Sequence, residues 1–101
     1  MPVRKSVVRS PIGLHARPAA EFVRAVKATG LPITIARTGE AGADARSLLE
    51  VMTADFQRDC EVELSVSGSP LPSGWSRADV ERSLESLGVL LETTQAPRAR
   101  R

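Results

Sequence analysis

The apolar positions Ala19, Phe22, Val23 and Val26 fall at i, i+3, i+4 and i+7, the stripe of an amphipathic helix, and Gly30 followed by Pro32 closes it. Upstream, residues 3–9 are rich in valine but alternate poorly. A first strand is predicted there from β-branched content and from Pro11 and Gly13, which end it. "PITIA" at 32–36 puts Ile33 and Ile35 on one face of a second strand, and Thr38-Gly39 offers a turn into a short polar strand near 41–44. Ser47 with Glu50 three positions on reads as a capping box opening a short helix through about Ala54. In "CEVELSVSG", Cys60, Val62, Leu64 and Val66 point one way and Glu61, Glu63, Ser65 and Ser67 the other.

The stretch "GSPLPSGW" at 68–75 is a Pro/Gly/Ser loop, and Ser76 with Asp79 gives a second cap signal. Val80, Leu84, Leu87 and Leu91 form the stripe of the next helix, which Gly88 should weaken. The order β-α-β-β-α-β-α implies an α+β domain, with helices on one face of an antiparallel sheet and Glu61 and Glu63 on the wet face. Residues 1–92 read as one domain. Residues 93–101 lack apolar periodicity and read as a basic, disordered tail.

Composition narrows the function. At 101 residues the chain has a modest core and no room for a deep cavity. A pI near 9.3 would suggest nucleic acid. However, Arg98, Arg100 and Arg101 crowd the C-terminus, and without them 11 basic residues face 12 acidic ones. The lone Cys60 makes no internal disulfide, and no cysteine and histidine set has metal-ligand spacing, so no metal or cofactor is expected. With no signal-peptide core and no long apolar run, the reading is a cytoplasmic protein without membrane insertion. Cys60 itself is read as a buried strand residue rather than a redox thiol.

The single histidine, His15, stands in "SPIGLHARPAAEF", where a loop becomes a helix beginning near Ala16. The first turn of a helix offers unpaired N–H groups and the positive end of the dipole, so an anion carried on His15 would be held there, at about 0.3–1 kcal/mol from the dipole alone. The same field works against a charged ring, and the neutral imidazole is the nucleophile that phosphoryl transfer needs. Arg17 adds a planar donor fork suited to phosphate oxygens. Pro18 occupies a first-turn position where its missing N–H costs no helical bond. Gly13 lets the loop approach closely or take a positive φ. The phosphate-binding stretch is therefore read as Ala16, Arg17 and Pro18, at an exposed site with few clamps.

"GLHARPAAEFV" resembles the active-site signature of the HPr family, the histidine-containing phosphocarriers of the sugar phosphotransferase system, and the likeness extends over about residues 3–92. The resemblance implies an open-faced β-sandwich, a four-stranded antiparallel sheet with three helices on one face. It implies a monomeric carrier, not an enzyme, whose His15 takes a phosphoryl group on Nδ1 from phosphorylated enzyme I and passes it to an IIA domain for sugar uptake. Arg17, Ala20, Arg24 and Lys27 follow helical spacing and form a basic stripe; in the family this side docks on acidic partners. The short second helix carries more apolar side chains than a stub of its length can bury, and the resemblance assigns Leu48, Leu49 and Met52 to docking with Val51 inward.

Ser47 matches a serine that a dedicated kinase phosphorylates in some HPr proteins. Here it is equally the expected helix cap, and Glu50 stands where kinase-regulated relatives usually have glycine. Ile12 replaces an often polar residue before "GLH", and Asp59 stands where a turn glycine is common. An alternative role is regulatory, in a nitrogen- or carbon-signalling phosphorelay acting through partner binding. A nucleic-acid role would rest on "PRARR" alone, and none is expected.

Overall fold

The computed structural model describes residues 3–66 and 74–93. Its elements follow the predicted order: β1 (Val3–Val7), α1 (Ala16–Thr29), β2 (Ile33–Arg37), β3 (Ala43–Asp44), α2 (Leu48–Ala54), β4 (Glu61–Val66) and α3 (Arg77–Thr93). The strands form a four-stranded sheet, antiparallel at every pairing and ordered β1-β4-β2-β3, so the last strand is an inner one. That place suits the strand with the cleanest alternation: Val62, Leu64 and Val66 are buried, and Glu61 is exposed. On the open face Lys5 stands opposite Glu63 across the β1-β4 pair, a favourable cross-strand match.

The helices cover the other face, and their stripes and the inward strand residues form one core around Phe22 and Phe56. Ala19, Phe22, Val23 and Val26 are buried in α1, and Gly30 ends it in the left-handed region, donating to the carbonyl of Lys27. The box at α3 forms in full: the Asp79 N–H donates to Ser76 Oγ at 3.1 Å and the Ser76 N–H to Asp79 Oδ2 at 3.4 Å.

At α2 only half of the predicted box forms. The Glu50 N–H donates to Ser47 Oγ at 3.1 Å, but the Glu50 carboxylate accepts from the Asp44 N–H at 2.9 Å instead of reaching back to Ser47. The reason is the sheet edge: β3 pairs with β2 over two residues, and Asp44 there needs an acceptor.

The first strand also departs from expectation. It ends at Val7 rather than 9, because the Arg9 N–H leaves the sheet for the carbonyl of Leu91 at 3.1 Å and Asp59, at φ 69, breaks the neighbouring segment. Its inward positions are Arg4, Ser6 and Val8, while Val3 is exposed, which is why the valines alternate poorly. Ser6 Oγ donates to the carbonyl of Gly88 at 2.9 Å, and Arg4 donates to Glu85 at 2.7 Å and Glu92 at 3.1 Å. Gly88 is thus the room for Arg4, since a Cβ there would lie 2.8 Å from Arg4 Cζ. Trp75 packs against the core edge. Thr93, expected to begin a disordered tail, instead ends α3, its hydroxyl donating to the carbonyl of Val89 at 2.8 Å. Most of the 68–75 loop and residues 94–101 lie outside the described residues.

Hydrogen bonding from Arg4 holds the Glu92 carboxyl below the usual glutamate range. A carboxyl whose pKa is lower in the folded chain stabilises the fold above its unfolded value, and that contribution is lost as the pH falls through the folded one. Unfolding free energies of wild type and Glu92→Gln from urea melts should therefore differ by roughly 0.5–1 kcal/mol at neutral pH, as for a partly exposed ion pair, and converge in acid. A gap that did not change with pH would assign the effect to packing.

Candidate functional site

The site is built where two loops touch. Gly13, at φ 71, donates to the carbonyl of Ser10 at 2.9 Å, and the Leu14 N–H donates to the carbonyl of Phe56 at 2.8 Å. A Cβ at Gly13 would lie 2.4 Å from that same Phe56 oxygen, so no other residue allows the contact. Leu14 is buried beside it and anchors the turn. His15 follows in extended geometry as the N-cap of α1, with no side-chain capping bond, and Ala16 then turns at φ 49 into the helix. A left-handed alanine carries strain of order 1–2 kcal/mol. The imidazole of this N-cap residue is half-exposed.

The second loop brings a carboxylate to the ring. Asp55 is the left-handed C-cap of α2, and its Oδ1 lies 2.6 Å from His15 Nε2. The Gln57 amide donates to Oδ2 at 3.1 Å. Arg37 donates to the carbonyls of Ala54 and Asp55, both at 2.6 Å, and its guanidinium lies 5.0 Å from the centre of the buried Phe56 ring. The Gln57 bond first, and then His15, hold the Asp55 carboxyl below the usual range, so it stays ionised at neutral pH. Pro11, Ile12, His15, Asp55, Gln57 and Arg58 line an open cleft of about 340 Å³.

Arg17 is exposed in the first turn and makes no hydrogen bond or ion pair among the described residues, so its fork is available to a ligand. Ala16 is exposed and Pro18 half-buried beside it; Arg24 and Lys27 are exposed further along α1, with Ala20 half-buried between them and Arg17. Leu49 is 76% exposed and Leu48 41%, whereas Val51 is fully buried and Met52 packs partly on the core. Ser47 is half-buried, its hydroxyl engaged as the α2 cap. Cys60 is half-buried, and burial pushes its thiol pKa up. No group of three metal-ligating side chains occurs among the described residues.

Sequence reasoning missed Asp55 and Gln57. "TADFQ" reads as an ordinary helix end, and only the aspartate's tolerance of left-handed backbone was a signal. Asp59 does take the left-handed geometry that a turn glycine would have, at φ 69.

A family model described as the PTS HPr component phosphorylation site matches residues 3–71. The chain belongs to the HPr family. It is 33% identical to the phosphocarrier protein HPr of Lysinibacillus sphaericus over 92 residues, covering 90% of this chain and 92% of that one. It is 47% identical to the HPr of Streptomyces coelicolor over 53 residues, 52% of this chain and 57% of the relative. The match to the HPr of Vibrio cholerae spans 65% of that protein's length. Among solved structures, HPr-C-His from Thermoanaerobacter tengcongensis superimposes with a TM-score of 0.74 at 26% identity, covering 92% of this chain and 93% of that one. HPr from Bacillus anthracis str. Ames gives 0.70 at 26% identity, covering 88% and 94%. The open-faced α+β fold expected from the HPr signature is the one observed. HPr proteins are phosphocarriers of the phosphotransferase system. No described helix of this member is long and apolar enough to cross a membrane.

Because the loop contact depends on a missing Cβ, Gly13→Ala should lower stability in urea melts by roughly 2–4 kcal/mol, combining overpacking with left-handed strain. An unchanged midpoint would show that the loops do not need to touch.

Proposed function

We propose that this chain accepts a phosphoryl group on His15 from phosphorylated enzyme I and passes it to an IIA domain for sugar uptake. The observation that carries the reading is the placement of His15: a half-exposed imidazole at the N-cap of α1, with no capping bond to occupy it. The ring nitrogen Nδ1 attacks phosphorus. The transferred group then meets the N–H groups of Ala16 and Arg17 and the Arg17 guanidinium, while Pro18, which has no N–H, fixes the turn. The half-exposed ring suits a carrier, because holding the phosphoryl state too tightly would deepen a trap without lowering either transfer barrier.

The exposed cations Arg17, Arg24 and Lys27, with Ala20 between them, face acidic partner surfaces, and steering of this kind speeds brief encounters. Leu48, Leu49 and the accessible part of Met52 provide the apolar half of the docking surface. Kinase regulation at Ser47 would act through the α2 cap: a phosphate there would gain from the helix N-terminus, where the Glu50 N–H already donates to the hydroxyl, and lose to the nearby Glu50 carboxylate.

Incubation with phosphoenolpyruvate and active enzyme I should add a single acid-labile phosphoryl group by intact mass, absent in His15→Ala. In Arg17→Ala the group should still form, about tenfold more slowly, the worth of one charge-assisted hydrogen bond. A wild-type chain left unmodified would refute the reading.

A further inference from the structure

Nothing in the HPr signature concerns the carboxylate that faces His15. Asp55 lies 40 residues further along the chain, yet its Oδ1 is 2.6 Å from Nε2. It is held from several directions: its own N–H donates to the Met52 carbonyl at 3.2 Å, Gln57 holds its second carboxylate oxygen, and Arg37 grips the carbonyls of Ala54 and Asp55. An ionised carboxylate can only accept a hydrogen bond, so at this separation Nε2 must carry the proton. In a neutral ring the other nitrogen, Nδ1, then bears the free lone pair.

We propose that Asp55 is a positioning residue for phosphoryl transfer, fixing the His15 tautomer so that Nδ1 is the nucleophile and balancing the charge that the ring gains. The inference rests on His15 being the phosphoacceptor. The Nδ1 lone pair forms the bond to phosphorus as the bond between phosphorus and the donor's leaving atom breaks, that atom keeping the electron pair. The Nε2 proton stays on the ring throughout, donated to the Asp55 carboxylate. The phosphorylated ring, still protonated at Nε2, is cationic, and the carboxylate facing it offsets that charge. Donation to the next protein reverses the same steps with the same partner. The α1 N-terminus and Arg17 favour the phosphoryl oxygens on one side of the ring, while Asp55 favours the ring cation on the other.

Both groups are substantially exposed, with side chains 37% and 53% accessible, so the pair adds little to stability. Its loss can therefore be tested in a folded chain. Glycine and asparagine both accept the left-handed backbone at position 55, at φ 58. In Asp55→Gly, enzyme I should phosphorylate the chain about 10- to 100-fold more slowly at saturation, with the half-saturating concentration unchanged. Nitrogen-15 spectra of the neutral ring should show a wild-type chain protonated at Nε2, with the variant shifting toward a mixture of tautomers. Asp55→Asn, whose amide oxygen still accepts from Nε2, should keep the tautomer and recover part of the rate. A glycine variant with wild-type turnover, or with an unchanged ring spectrum, would overturn the role of Asp55 while leaving His15 as acceptor. If wild type itself takes no phosphoryl group, the acceptor reading fails, and the positioning role fails with it.

Discussion

The contact between Gly13 and Phe56 is the constraint on which the site depends. Two segments far apart in the chain, the entrance to α1 and the exit from α2, meet through a hydrogen bond from Leu14 to Phe56 where there is no space for a Cβ. Leu14 and Phe56 are both buried, so each side of the contact is tied to the core. From that fixed point the chain emerges with His15 on one side and Asp55 on the other. Arg37 reinforces the second side by holding two carbonyls at the end of α2 and lying over the Phe56 ring. The functional groups are exposed, but the backbone carrying them is anchored in the interior.

That division suits a carrier. On the proposed reading, a buried, heavily clamped histidine would bind its cargo well and release it slowly, whereas a half-exposed ring would let two different partners reach the same atom in turn. Rigidity then has to come from beneath the site. It comes from backbone hydrogen bonds and a glycine contact, which hold the chain on either side of the cleft. The proposed electrostatics are split in a similar way, with the helix end and Arg17 suited to an anion and Asp55, 2.6 Å from Nε2, suited to a ring cation.

On the far side of the domain, α3 is joined to the sheet by polar means. The inner face of β1 presents Arg4 and Ser6, and these are satisfied by Glu92, Glu85 and the carbonyl of Gly88. Buried polar groups are tolerated when their partners are supplied, and here the supply fixes the register of helix against strand. Gly88, unfavourable as a helix residue, gives the Arg4 side chain room to cross it. The Arg9 bond to the Leu91 carbonyl ends the strand and satisfies a carbonyl near the end of the helix.

The sequence by itself determined whatever depends on near neighbours. The α1 stripe, the Ser76 and Asp79 box, the alternation of β4 and the place of His15 at a helix start all rest on spacings of a few residues, so periodicity and capping rules reach them. The signature around His15 also carried the family and, through it, the open-faced four-stranded architecture, but not the order of the strands in the sheet. Tertiary structure decided the rest. Glu50 satisfies Asp44 rather than completing its own box because of an unfilled sheet edge, and the inner face of β1 is polar because α3 supplies its partners. Asp55 faces His15 because the core brings two chain segments together, and no spacing rule spans the 40 residues between them. Local order follows from the chain's own periodicity, whereas side chains distant in sequence meet only where burial and the packing of the core put them.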